Sequence, residues 1–164
     1  MGYIIRGDAS AGSLGIGNPN YLSVVALMTA ATWNTATVHE VFTVTGLVRM
    51  RMWIECTATL TDAADAARIQ FGHEAATNAF IAVTAGATAG AALIATGVLW
   101  YDATPDLLPS APSASIMDYV INNYDVGYEI TGAAMTGGSL TFHCVWEPLN
   151  ATGNVTAGAG GAMV

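Results

Sequence analysis

The run from Val48 to Cys56 constrains the fold more than any other part of the chain. Val48, Met50, Met52, Ile54 and Cys56 take one parity; Arg49, Arg51 and Glu55 take the other, with Trp53 among them. Successive side chains of a β-strand point to opposite faces, so a period of two presses the apolar set onto a core and turns the charged set toward solvent. A helix would spread the three charges around its cylinder instead. The same alternation returns late in the chain. Leu140, Phe142, Cys144 and Trp146 oppose Thr141, His143, Val145 and Glu147, and Pro148, which cannot donate to a ladder, ends the run.

Shorter stretches extend the pattern. Leu22, Val24, Ala26 and Met28 alternate, and Ile69, Phe71 and His73 share a face opposite Arg68, Gln70 and Glu74. NAFIAVT, GVLWYD, SIMDYVINNY and VGYEIT have strand composition. MTGGS reads as a turn, because Gly137 and Gly138 tolerate positive φ, so the strands flanking it are expected to form a hairpin. TLTDAADAARI has helical composition, with Asp62 placed to cap one short turn. Many short strands separated by glycine-rich turns predict an all-β, antiparallel β-sandwich of jelly-roll type with extended N- and C-terminal arms. The expected divisions are an N-terminal arm and lead-in strand over 1–37, the sandwich over 38–148, and a Gly/Ala-rich tail over 149–164. The tail holds too few large apolar residues to pack by itself, and residues 1–30 and 151–164 are expected to gain order from a binding partner.

Composition narrows the function. Charged residues make up 10% of the 164, against roughly 25% in an ordinary soluble domain, and 53% are hydrophobic. A disordered chain needs the reverse balance. Apolar surface in excess of one core goes to a bilayer or to other subunits. The 27 uncharged residues between Glu74 and Asp102 are long enough to span a membrane, and Gly86 and Gly90 have the spacing of a small-residue helix contact. Yet AVTAGATAGAA is alanine, glycine and threonine with one valine, which gives little transfer free energy, and no Lys or Arg cluster sets an orientation. The segment reads as a loop between strands, with no membrane partner. The N-terminus does not read as a signal peptide either, since Arg6, Asp8 and several glycines interrupt it. Lysine is absent and the net charge is −8, so nucleic acid is not an expected partner.

No motif for chemistry is found. His39-Glu40, His73-Glu74 and His143-Cys144 lack the close spacing of a zinc site, and alternation turns His143 away from Cys144. Each histidine reads as structural. Cys56 and Cys144 lie in apolar alternating runs and read as buried free thiols, with a disulfide the alternative if their strands are neighbours. There is no nucleophile elbow and no phosphate-binding loop. Asp62 and Asp65 lack the alternating oxygen ligands of a calcium loop. The Arg6-Gly7-Asp8 tripeptide is discounted as a chance match. The chain is therefore not expected to be an enzyme, and no catalytic, metal or cofactor-binding residue is assigned.

Arg49, Arg51 and Trp53 form the candidate subunit interface. Two of the four cations lie on one short outward stripe beside a tryptophan, and arginine and tryptophan are enriched at interface hot spots. The alternative is cross-strand pairing with acids such as Glu147 or Glu129, with Trp53 covered by a loop.

HEVFTVTGLVRMRMWIECTATL, NNYDVGYEITGAAMTGGSLTFHCVWEPLN and ATGNVTAGAGGAMV together resemble a family of small virion proteins of tailed bacteriophages. In that family a similar "vFTVTG" phrase leads into a long alternating strand. Its chains end in an aromatic strand, a "W-x-PL" phrase and a Gly/Ala tail. The resemblance covers about residues 33–161, and departs in the loops at 85–92 and 104–112. It implies a capsid decoration (cement) protein on the outer surface of a phage head, with the major capsid protein as partner and a homotrimer as oligomeric state. A tail or fibre component is the alternative, although fibre proteins usually show internal repeats and none is visible. A carbohydrate-binding β-sandwich is the third reading, with Trp53, Tyr101, Tyr119 and Tyr128 as the aromatics for a stacking platform.

Overall fold

The computed structural model describes residues 20–63, 66–85, 94–101 and 116–163. The N-terminal arm with its Arg-Gly-Asp tripeptide, the Gly/Ala loop and the proline loop of 104–112 lie outside the described residues.

The strands are β1 (Asn20–Leu27), β2 (Val38–Thr45), β3 (Leu47–Asp62), β4 (Arg68–His73), β5 (Ala76–Ala85), β6 (Leu99–Trp100), β7 (Met117–Asn122), β8 (Val126–Thr131), β9 (Met135–Pro148) and β10 (Asn154–Ala157). One helical turn, α1 (Ala31–Asn34), follows β1. The first sheet runs β1-β9-β3-β6, with β7 also paired to β3; the second runs β10-β2-β8-β4-β5. All pairings are antiparallel, and β1 with β9, β2 with β8, β3 with β7 and β4 with β5 form a nested series. That is one long hairpin rolled over on itself, the jelly-roll wrap. The fold is an all-β sandwich of two antiparallel sheets.

The alternation read from the sequence sets the register. Val48, Met50, Met52, Ile54, Cys56, Leu140, Phe142, Cys144 and Trp146 are all buried between the sheets. Phe142 is the main cross-sheet link. Its ring stacks on Tyr128 of the second sheet, with centroids 5.3 Å apart and planes at 7°, and meets Phe71 at 5.5 Å. Offset aromatic pairs of this kind add to the area they bury.

The expected hairpin through MTGGS does not form. β8 belongs to the second sheet and β9 to the first, so the chain crosses between sheets at Gly132, whose φ is +84°. MTGGS is the first part of β9, where register shifts against β3 fall between Cys56 and Asp62. Gly138 does take positive φ, +99°, but it serves a bulge: a Cβ there would stand 2.5 Å from the Thr59 carbonyl. Within the stretch of helical composition, TLTD continues β3. Asp62 does bind backbone amides, its Oδ2 accepting from Ala66 and Ala67 at 2.9 and 2.6 Å.

The two ends of the described chain carry more structure than their composition suggests. β1, grouped with the arm on sequence, pairs with β9 over eight residues and buries Val24 and Ala26. In the tail, β10 pairs with β2 and buries Val155. Small residues make this possible: a Cβ at Gly153 would lie 2.5 Å from the Leu47 carbonyl, so only glycine lets the tail approach so closely. His39 fastens the same region, its ring nitrogens bonding the Thr32, Thr35 and Gly160 carbonyls at 2.8–3.1 Å.

Candidate functional site

The outward parity of β3 carries Arg49, Arg51, Trp53 and Glu55, with Glu147, Val145, His143 and Thr141 beside them on β9. β1 adds Tyr21, Val25 and Leu27 on one flank, and β7 adds Asp118 and Val120 on the other. The structure thus brings all three residues of the sequence-derived stripe onto one outer sheet face.

At one end of this face the arginines converge on Asp118. Arg49 donates through Nε and Nη2 to the two carboxylate oxygens at 2.9 and 2.8 Å, and Arg51 Nε donates to Oδ2 at 3.0 Å. Glu147 approaches Arg49 at 3.4 Å. The hydrogen bond from Arg49 is the main cause that holds the Asp118 carboxyl below its usual range; burial opposes it, and the hydrogen bond from Arg51 and the charges of both arginines add to the lowering. The sequence pointed to Glu147 or Glu129 as partners. Glu147 is one, whereas Glu129 lies in the second sheet, where Gln70 and Thr77 donate to it at 2.6 and 2.7 Å. Asp118 was missed because nothing local marks β7 as the neighbour of β3.

At the other end lies an aromatic cluster. The Trp53 and His143 rings stack with centroids 4.9 Å apart and planes at 9°, and Tyr21 stands 6.1 Å from His143 and 6.4 Å from Trp53. The Tyr21 hydroxyl and His143 Nδ1 are 2.7 Å apart. With Tyr21 donating, the imidazole proton sits on Nε2, the atom nearer Glu55 but 3.7 Å from its carboxylate, too long for a hydrogen bond. Burial pushes the His143 pKa down, and Glu55 opposes this only in part, so the ring is neutral near pH 7. Trp53 is half-buried by this stacking rather than fully presented. Tyr21 was legible in the sequence, since it has the outward parity opposite Leu22 and Val24.

None of the other aromatics proposed for a stacking platform is presented to solvent on this face, although Tyr101 adjoins Trp53. Tyr128 is wholly buried and donates to the Trp33 carbonyl, Tyr101 is buried, and Tyr119 packs 4.4 Å from Phe80. Beside Trp53, Leu99, Tyr101 and Ile116 line an open apolar hollow of about 180 Å³. Small-molecule sites usually offer roughly 300–1,000 Å³.

Cys56 and Cys144 are free and buried. Their strands are neighbours, but Cys56 faces Leu140 and Cys144 faces Met52. The offset is four residues along the ladder, roughly 13 Å at the rise of a strand, far beyond disulfide reach. Burial raises both thiols, Cys56 to about 11. Among the described residues no group of three His, Cys, Asp or Glu side chains could hold a metal ion. No helix among them is long and apolar enough to cross a membrane. No family model, curated protein or solved structure matches the chain.

Proposed function

We propose that this chain is a structural virion protein, a capsid decoration protein that binds and stabilises the outer surface of a tailed-phage head. The observation that carries this reading is the outer face of the first sheet. It is a broad, shallow surface in which an arginine–carboxylate ladder adjoins an aromatic cluster and exposed Val25, Leu27 and Val120. Such a face suits recognition of a protein surface by shape, apolar area and a few oriented charges. The resemblance of its sequence phrases to those of small phage virion proteins supports the same reading. So does the net charge of −8, which favours the outside of a shell over contact with packaged DNA. Jelly rolls serve viral capsid and lectin domains alike, so the fold alone decides nothing. In this reading the partners are the major capsid protein and other copies of the chain in a homotrimer, and no catalysis is involved.

Trp53 and Tyr21 are the observation in favour of a carbohydrate-binding module, but with Tyr101 and Tyr128 buried the platform shrinks to these two rings and His143. Cryo-EM of the parent particle tests the proposal, with density for this chain expected on the outside of the head. Density on the tail favours the tail or fibre reading, and absence from the particle overturns both. Reconstituting stripped heads with Trp53→Ala and Arg51→Ala variants then tests the face, with lower occupancy expected from each.

A further inference from the structure

Sheet edges are templates for pairing with another chain, and proteins protect them with charge, proline, bulges or shortness. The edges seen among the described residues differ in this protection. β10 has four residues and β6 two. β7 carries Asp118. β5 meets β4 with two register shifts. β1 has none of these devices. Its eight residues, NYLSVVAL, hold no charge and no proline and pair with β9 without a register shift.

The hydrogen-bond parity of β1 is fixed by its end. The Met28 amide donates to the Gly138 carbonyl at 3.0 Å, continuing the ladder that pairs Leu27 with Ser139. Backbone groups of even-numbered residues therefore face β9, and those of Tyr21, Ser23, Val25 and Leu27 face the open edge. The same four side chains point to the outer face, where Tyr21, Val25 and Leu27 are 37%, 50% and 50% exposed.

We infer that β1 is a self-pairing edge, joining antiparallel to β1 of a second copy about a two-fold axis at Val24. In this register Ser23 opposes Val25 of the second copy and Tyr21 opposes Leu27, each pair exchanging edge-facing amides and carbonyls. The outer pair is the weaker, because the Leu27 carbonyl also accepts from Ala30 at 2.9 Å. Outward side chains meet outward side chains, so the apolar strip of one copy continues into that of the other. A chain of net charge −8 repels its own copy least along an uncharged strip. An isologous contact also closes at two, without the open-ended growth of a head-to-tail edge. The pairing uses the backbone edge of β1 and extends the outer face proposed for capsid binding without covering it, and it leaves any three-fold contact available, so copies associate in even numbers.

The test is sedimentation of the full chain at micromolar concentration, with hydrogen exchange on the same sample. A mass at an even multiple of 16.8 kDa is expected, together with concentration-dependent slowing of exchange at the Tyr21, Ser23 and Val25 amides. Ser23→Pro removes an edge-facing donor while sparing every β1–β9 hydrogen bond, and Val25→Lys places a charge on the exposed strip; each should halve the mass. Val25→Lys serves if the proline variant misfolds. A mass of one or three copies, or edge amides that exchange at the solvent-exposed rate at every concentration, overturns the inference. So does an even mass that both folded variants leave unchanged.

Discussion

β3 and β9 each present two faces, and the two could hardly differ more. Inward, Met50, Met52, Ile54, Phe142 and Cys144 are almost wholly buried, and what holds them is area and fit. Outward, one residue further along the same strands, Arg49, Arg51, Trp53 and His143 engage a few oriented partners while remaining partly exposed to solvent. The lesson is one of coupling. A side chain on the inner face is tied to the opposite sheet, so its loss is felt by the whole sandwich. A side chain on the outer face is tied only to neighbours in its own sheet, so it is available for a partner at little structural cost.

The strongest way to break this contrast is at Phe142. Phe142→Ala should cost about 3–5 kcal/mol in chemical denaturation, because it empties the contact with Tyr128 and Phe71. Its outward neighbour Thr141→Ala should stay within roughly 0.5 kcal/mol. Similar losses at both positions would show that the faces are not separate. Thiol chemistry probes the inner face without mutation. Cys56 and Cys144 are buried with raised pKa values, so a disulfide reagent should leave them unmodified in the native protein and titrate both after unfolding.

On the outer face, Trp53→Ala should lower stability by about 1 kcal/mol or less; under the proposed capsid role it should lower head occupancy far more than it lowers the melting temperature. A loss of fold comparable to that of Phe142→Ala would assign Trp53 to the core. The smallest effect is on pH dependence. His143 is lowered in the fold, so the unfolded chain binds its proton first as pH falls. Stability from this group is present above pH 6.5, the ordinary histidine value, and declines as acid is added toward the lower folded value. His143→Gln should flatten that part of the stability profile. Asp118 acts further down, its contribution declining below pH 3.8 as its carboxyl protonates, and Asp118→Asn should remove that step.

Much of the fold was legible because it rests on local rules. The parity of Val48–Cys56 and Leu140–Glu147 assigned inner and outer faces correctly, and the candidate stripe Arg49, Arg51 and Trp53 is outward as read. Tyr128 shows the limit of composition. In VGYEIT it was offered as an outward aromatic, yet it is the centre of the cross-sheet stack, because three consecutive residues from Val126 to Tyr128 are buried and period-two reading fails there. The MTGGS segment shows the limit of turn chemistry. A glycine pair permits positive φ, and a bulge inside a long strand uses that freedom as readily as a hairpin does.

What the sequence determined by itself was which side chains share a face, since the pleat imposes a period of two on any strand wherever it is placed. What only the tertiary structure decided was which strands lie side by side. That choice set Asp118 against Arg49 and Arg51, drew Tyr21 to His143 across 122 residues, separated Cys56 from Cys144, and parted β8 from β9. In a jelly roll the paired strands are mostly far apart in sequence, so the partners follow from how the whole hairpin wraps to close one core. No short window of residues contains that information.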